Sequence, residues 1–192
     1  IILKEEMKRL LDIILSILGI TLMFIPILLI SFCIKITSKG PIIHWSKRFG
    51  KNKKLFLMPK FRTMILDAPQ VETELMKNSD IYLTTVGKYL RKYSLDEIPQ
   101  LFSVLYNHMS IVGPRPALFT QIDLIEMREE KGINSILPGI TGLSQVMGRD
   151  SHTNLEKVGF DNEYLLNKSF SFDIFIIIKT IINVILSKNI NH

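Results

Sequence analysis

Cysteine occurs once in the 192 residues, at Cys33, so no intrachain disulfide can form and a reducing compartment fits. Cys33 lies inside an apolar run, where a small buried hydrophobe is the expected role. Histidine is sparse too, and His44, His108 and His152 show no metal-ligand spacing, which points to surface or loop positions. The one tryptophan, Trp45, suits either an interfacial anchor or a core position. There is no internal repeat, no low-complexity tail and no aromatic-rich basic stripe, so a nucleic-acid partner is not expected. Acid is in short supply as well: 24 Lys and Arg face 18 Asp and Glu, a net charge of +6 with a pI near 9.4. That balance favours an anionic partner. Apolar residues are not lacking. They make up 47% of the chain and gather at its two ends, so a membrane surface combined with phosphate is the better pairing.

Residues 13–34, IILSILGITLMFIPILLISFCI, carry no charge and would reach about 33 Å as one straight helix. A signal peptide fits poorly, because the apolar core is too long and no A-x-A-like site follows. Pro26 sits near the middle, where it removes a backbone hydrogen bond and clashes with the preceding turn. The flanks are basic on both sides, Lys4, Lys8 and Arg9 before, Lys35 and Lys39 after, so the positive-inside rule prefers both ends in the cytoplasm. A helix that dips into the bilayer, breaks at Pro26 and returns satisfies both observations; proline is also tolerated in spanning helices. These features divide the chain into a membrane-associated segment (1–39), a catalytic region (40–169) and a C-terminal interfacial helix (170–192) belonging to the same domain.

Past the SKGP turn (38–41) the chain is polar and mixed. LFLMPKFRTM (55–64) reads as an edge strand interrupted by Pro59, with Lys60 and Arg62 on one face. Residues 65–80 read as a polar loop, and TTVGKYLRKY (84–93) as a short helix with a Thr cap. Ile98, Leu101, Phe102 and Leu105 follow helical spacing. LPGITG (137–142) reads as a Pro/Gly loop. The run FSFDIFIIIKTIINVIL (170–186) is apolar yet contains Asp173, Lys179 and Asn183, which suits a helix lying in the interface.

Residues 94–118, SLDEIPQLFSVLYNHMSIVGPRPAL, put Asp96 and Glu97 side by side ahead of that helix and close on GPRP with Arg115. Ser94 and Glu97 have capping-box spacing, although Pro99 makes a helix start at Pro99 itself a fair alternative. Either way Asp96 falls off the apolar stripe and stays available. The candidate cations around the pair are Lys60, Arg62, Arg91, Lys92, Arg115 and Arg149. Two prolines hold the backbone about Arg115, and a preorganised guanidinium suits bidentate phosphate contact. Mg²⁺ takes one or two carboxylates and completes its shell with substrate phosphates and water. Two acids amid several cations therefore suggest phosphate transfer, with metal and arginine neutralising charge while one carboxylate attacks.

KFRTM (60–64), LRKYSLDEIPQL (90–101), MSIVGPRP (109–116), LPGITG (137–142) and QVMGRD (145–150) occur in the order found in the bacterial sugar transferases, the monotopic phosphoglycosyl transferases. The chain resembles that family from about residue 8 to about residue 186. The resemblance implies an α+β fold, predominantly helical, in which a re-entrant N-terminal helix, interfacial helices and a small β element surround an active site. That site would face the cytoplasm at the bacterial inner membrane. It implies transfer of a sugar 1-phosphate from a UDP-sugar to a polyprenyl phosphate such as undecaprenyl phosphate, with Mg²⁺ and release of UMP. By the same resemblance Asp96 is the nucleophile and Glu97 holds the metal. Arg91 and Arg115 bind phosphate, with Lys60, Arg62 and Arg149 in matching motifs. Asp161, Tyr164 and Asn167 keep the family's spacing in FDNEYLLN (160–167) and either line the site or support it. The chain departs from the family where Ile25 rather than Ser precedes Pro26. Leu143, Ser144 and Met147 stand where the family has Trp, Ala and Asn.

Overall fold

Pro26 governs how the N-terminal apolar run folds, because its ring collides with the carbonyl four residues earlier, that of Leu22. The computed structural model describes residues 2–68, 79–148 and 152–186. In it α1 (Ile2–Leu22) stops at that point, and α2 (Phe24–Thr37) begins after Met23. Pro26 thereby falls in the first turn of α2, where an intrahelical N–H partner is not needed. The two helices bend by 60° at this break, and among the described residues no single helix is long and apolar enough to cross a membrane.

Both ends of the bent pair dock on one body. Near the start of α1, Arg9 donates to the carbonyls of Val104 and Leu105 at 2.7 and 2.9 Å. These lie at the end of α4 (Gln100–Leu105), where a cation meets the negative end of the helix. Asp12 Oδ1 accepts the amide of Ile111 at 3.0 Å. Lys8 pairs at 2.6 Å with Asp173, in α8 (Phe170–Ile185). Just past the far end of α2, Ser38 receives Arg62 Nη2 on its carbonyl at 3.0 Å and on its hydroxyl at 2.6 Å. Three of the five flanking basic side chains sit before α1's apolar stretch, and two of those, Lys8 and Arg9, are thus tied to protein.

The β structure is two small pieces. β1 (Ile43–Phe49) and β2 (Leu55–Phe61) form an antiparallel ribbon, with Trp45 opposite Pro59. A two-stranded ribbon leaves each strand a free edge, so Pro59 is accommodated inside β2. Trp45 is 58% exposed, which removes its core alternative. The second piece corrects the loop expected at 137–142: β4 (Gly139–Thr141) pairs in parallel with β3 (Ser110–Val112). Glycine makes that possible, since a Cβ on Gly139 or Gly142 would collide with the Gly113 backbone. Gly113 N instead donates to Thr141 O at 2.9 Å.

The remaining helices are α3 (Thr85–Lys92), α5 (Ile122–Glu130), α6 (Leu143–Met147) and α7 (Asn154–Asn167). Thr84 caps α3 as expected, accepting from Gly87 N at 2.9 Å. Val112, Leu143, Val146, Tyr164 and Ile176 form one core cluster; Ala117, Leu124, Ile125, Ile133 and Val158 form another. Ile34 of α2 packs with Phe61 and Leu90. The opposite faces of α1, α2 and α8 leave large apolar side chains exposed, among them Ile14, Leu18, Phe24, Leu28, Phe32 and Ile178. Cys33 is on such a face: α2 turns Ile34 inward at 1% exposure and leaves Cys33 exposed, which corrects its expected burial. The polar loop expected over 65–80 lies mostly outside the described residues.

Candidate active site

Pro99 shapes the turn that carries the two acids. Without an N–H it cannot sit in the interior of a helix begun at Leu95. The chain makes a 3₁₀ turn over Leu95–Glu97 instead, and α4 starts after Pro99. Ser94 adopts the left-handed conformation (φ 54°) and makes no side-chain cap, so the capping box expected at Ser94 and Glu97 is not formed. The helix begins one residue beyond the alternative start, with Pro99 as its N-cap residue. A true capping box stands at Thr153 and Glu156, opening α7. The result for the dyad is that both acids turn inward, each only 8% exposed.

Glu97 sits between two cations. Its Oε1 accepts from Lys60 Nζ at 2.8 Å and from Arg115 Nη2 at 3.3 Å. Lys60 comes from β2 and Arg115 from the GPRP loop that follows β3. Burial pulls the Lys60 ammonium below the ordinary lysine range; Glu97 opposes this most, Arg115 adds to it, and Asp96 opposes it further. Opposite Lys60 in the ribbon, the His44 imidazole is held low by partial burial and then by Lys60, Arg48 and Arg91. Lys60 and Arg115 therefore face the dyad directly, and Arg48 acts on Lys60 from behind.

Arg115 is held from behind. Its own carbonyl accepts from Arg128 Nη1 at 3.0 Å, and the next carbonyl, of Pro116, accepts from Arg48 Nη1 at 3.0 Å. Arg128 is in turn fixed by Asp161, whose Oδ2 receives Nε at 3.0 Å and Nη2 at 2.6 Å. These two residues are 5% and 1% exposed. Burial pushes the Asp161 carboxyl upward against the pull of Arg128. Ser144 adds a 3.4 Å bond to Asp161 Oδ1, a contact that alanine at this position would lack.

Arg91, in the last turn of α3, donates from Nε to Thr63 Oγ1 at 3.0 Å. Gly87 lets α3 lie against that segment, since a Cβ there would collide with the Thr63 backbone. The other expected residues go elsewhere. Arg62 is 5% exposed and bound to Ser38, because β2 ends at Phe61 and the alternation relating it to Lys60 ends there too. Asp161 is buried beneath the GPRP loop. The Tyr164 hydroxyl lies 2.8 Å from Asp173 Oδ1 and 3.1 Å from Val112 O, and burial, then Asp173, raises its pKa. Asn167 is exposed and donates to Glu163 O in its own helix at 3.0 Å. Arg149 lies outside the described residues. Of the departures from the family pattern, Leu143 joins the core and Met147 is 47% exposed.

Arg48 and Arg128 escaped the sequence reading. Arg128 stands among the acids of IEMREE and reads as one more surface charge; only its 5% exposure reveals otherwise. Arg48 follows Lys47 in a stretch with no motif of its own.

Among the described residues no three His, Cys, Asp or Glu side chains converge, so a closed protein cage for a metal is not built. The adjacent carboxylates of Asp96 and Glu97 fit Mg²⁺, which needs only one or two from the protein. On another side Glu97 borders a cavity of about 310 Å³, walled by α4, α6, β4 and α8.

The bacterial sugar transferase family model matches residues 3–187. The chain is 35% identical to the exopolysaccharide production protein ExoY of Sinorhizobium fredii, over 94% of this chain and 86% of that protein. It is 39% identical to the UDP-glucose:undecaprenyl-phosphate glucose-1-phosphate transferase of Escherichia coli, over 91% of this chain and 39% of that protein. With the undecaprenyl-phosphate galactose phosphotransferase of Salmonella typhimurium it shares 37% identity, over 91% of this chain and 39% of that protein. The chain thus spans most of the first relative and about two-fifths of the other two. With the acid pair, the GPRP loop and the glycine-dependent strand pair all lying inside the matched span, the chain belongs to the bacterial sugar transferase family.

Proposed function

We propose that this chain is a phosphoglycosyl transferase that moves a sugar 1-phosphate from a UDP-sugar to undecaprenyl phosphate or a similar polyprenyl phosphate. It would act at the cytoplasmic face of a bacterial inner membrane, in an early membrane step of glycoconjugate assembly. The observation that carries this reading is the buried acid pair, with Glu97 bonded to Lys60 and Arg115. The names of the E. coli and S. typhimurium relatives support the same donor and acceptor chemistry.

The chemistry divides into two displacements at one phosphorus. A carboxylate oxygen of Asp96 attacks the sugar-bearing phosphorus; the bond to the bridging oxygen breaks, and UMP leaves with that oxygen. A phosphate oxygen of the polyprenyl acceptor then attacks the same phosphorus and the bond to Asp96 breaks, returning the free carboxylate. Arg115 and Arg91 bind the diphosphate, and Lys60 neutralises charge that would otherwise repel it. Glu97 would hold Mg²⁺, which when bound supplies charge neutralisation at the diphosphate.

The bent α1–α2 pair acts as a re-entrant membrane element. Supporting this, the start of α1 and the end of α2 dock on one body, through Arg9 and Asp12 on one side and Ser38 on the other. A crossing would carry one of those ends to the far face of the bilayer. The apolar outer faces of α1, α2 and α8 suit lipid.

The test is UMP release from a panel of UDP-sugars supplied with undecaprenyl phosphate and Mg²⁺. At least one donor should give UMP and a lipid-linked sugar phosphate, and EDTA should stop both. Release from no donor, or an undiminished rate in EDTA, contradicts the assignment.

A further inference from the structure

We infer that Arg48 is a positioning residue for donor binding: it sets the place of Arg115 relative to Lys60, and so the gap beside Glu97 that receives the diphosphate. This rests on the transfer reaction proposed above. Glu97 Oε1 takes one cation from β2, Lys60 at 2.8 Å, and one from the GPRP loop, Arg115 at 3.3 Å. The two cations ride on different elements, so their spacing depends on how the loop sits against the ribbon.

β1 lies between those elements. On the edge away from β2, Phe49 N donates to Ala117 O at 3.0 Å and Phe119 N to Lys47 O at 3.4 Å, with Arg48 bridged to Leu118. This backbone contact begins two residues beyond Arg115, and Pro116 has no N–H with which to extend it. Arg48 closes the gap with its side chain. Its Nη1 donates to Pro116 O at 3.0 Å while its Nε donates to Ser46 Oγ at 3.0 Å. Ser46 is only 8% exposed. Alternation along β1 puts Ser46 and Arg48 on the face of His44, whose cross-strand neighbour is Lys60. One planar guanidinium therefore spans ribbon and loop, and its charge reaches Lys60. Arg128 grips the carbonyl of Arg115 from α5 and ties the loop to that helix instead.

Arg48→Lys separates geometry from charge, because it keeps the cation and lacks the planar fork that engages both acceptors. It should lower kcat/KM for the UDP-sugar roughly tenfold, the loss of one charge-assisted hydrogen bond. Arg115→Lys should lower it as well. Adding Arg48→Lys to Arg115→Lys should then cost less than about twofold more, since residues that act through one another are not additive. Lys47→Gln removes a charge from the exposed, outward face of the same strand and should leave donor kcat/KM unchanged. Losses that multiply independently in the double variant would overturn the inference, as would a wild-type donor kcat/KM in folded Arg48→Lys. An equal loss in Lys47→Gln would reduce the effect to general surface charge and overturn it too. Should Arg48→Lys fail to fold, Ser46→Ala removes the ribbon-side acceptor alone; donor kcat/KM should fall severalfold, and an unchanged value contradicts the inference. Wild-type protein that releases no UMP from any donor counts against the transfer reaction itself, a result distinct from an active enzyme indifferent to Arg48.

Discussion

Replacing Asp161 with alanine strands a buried guanidinium. Asp161 takes two bonds from Arg128, at 3.0 and 2.6 Å, and the pair is 1% and 5% exposed, so water cannot take over the lost contacts. Removing one partner of such a pair costs about 3–5 kcal/mol, because the other charge stays buried and uncompensated. Against a typical stability of about 5–15 kcal/mol that is a large share. For a chain of this size each kcal/mol lowers the unfolding midpoint by about 2–4 °C, so the midpoint should fall by roughly 6–20 °C. Thermal unfolding in lipid nanodiscs at a fixed scan rate measures it. The double replacement Arg128→Met with Asp161→Leu removes both charges and should recover most of the loss. Arg128 also holds the carbonyl of Arg115, so Asp161→Ala should weaken donor binding even where the protein remains folded. A midpoint within about 2 °C of wild type would refute this reasoning, since it corresponds to no more than about 1 kcal/mol.

Two further outcomes follow from the same geometry. Lys60 has its pKa lowered by burial, so its ammonium is lost at a lower pH than an ordinary lysine's, and activity that needs the cation falls on the alkaline side. Lys60→Arg keeps the charge, and its pH–rate profile should extend further into alkali; coincident alkaline limbs would show that Lys60 ionisation does not limit the reaction. For the bent helix pair, Glu6→Cys and Lys39→Cys in a Cys33→Ser background place thiols at exposed positions near its two ends. An impermeant maleimide should label both from the cytoplasmic side only, and labelling of either from the periplasmic side contradicts a re-entrant element.

The parts of this molecule legible in its sequence are those set by local chemistry. Pro26 marks the helix break to within a turn, Thr84 marks the start of α3, and the apolar run from Phe170 marks α8. Asp96, Glu97 and the GPRP loop stand out because acids among cations and paired prolines are unusual in any context. What stayed hidden depends on partners distant in sequence. β4 is written in residues that signal a turn, and it becomes a strand only because Gly113, some 26 positions earlier, meets Gly139 and Gly142 backbone to backbone. Arg62 shares a motif with Lys60, yet it turns to Ser38 once β2 has ended. Arg128 and Arg48 hold the Arg115 loop from a helix and a strand that carry no motif at all. The Ser94–Glu97 pattern misled for a local reason, the proline two residues beyond Glu97, whereas Thr153 and Glu156 formed the motif where no such proline intervenes.

The claim on which the rest depends is that the Asp96 carboxylate forms a bond to phosphorus. Incubating the protein with Mg²⁺ and a UDP-sugar that supports turnover, without lipid acceptor, should allow one displacement and no second. Intact-mass and peptide mass spectrometry should then find a sugar-phosphate adduct on the peptide bearing Asp96, absent from Asp96→Asn and lost when undecaprenyl phosphate is added. A protein that turns over with both substrates, yet shows no adduct with donor alone or carries it equally in Asp96→Asn, would contradict the mechanism.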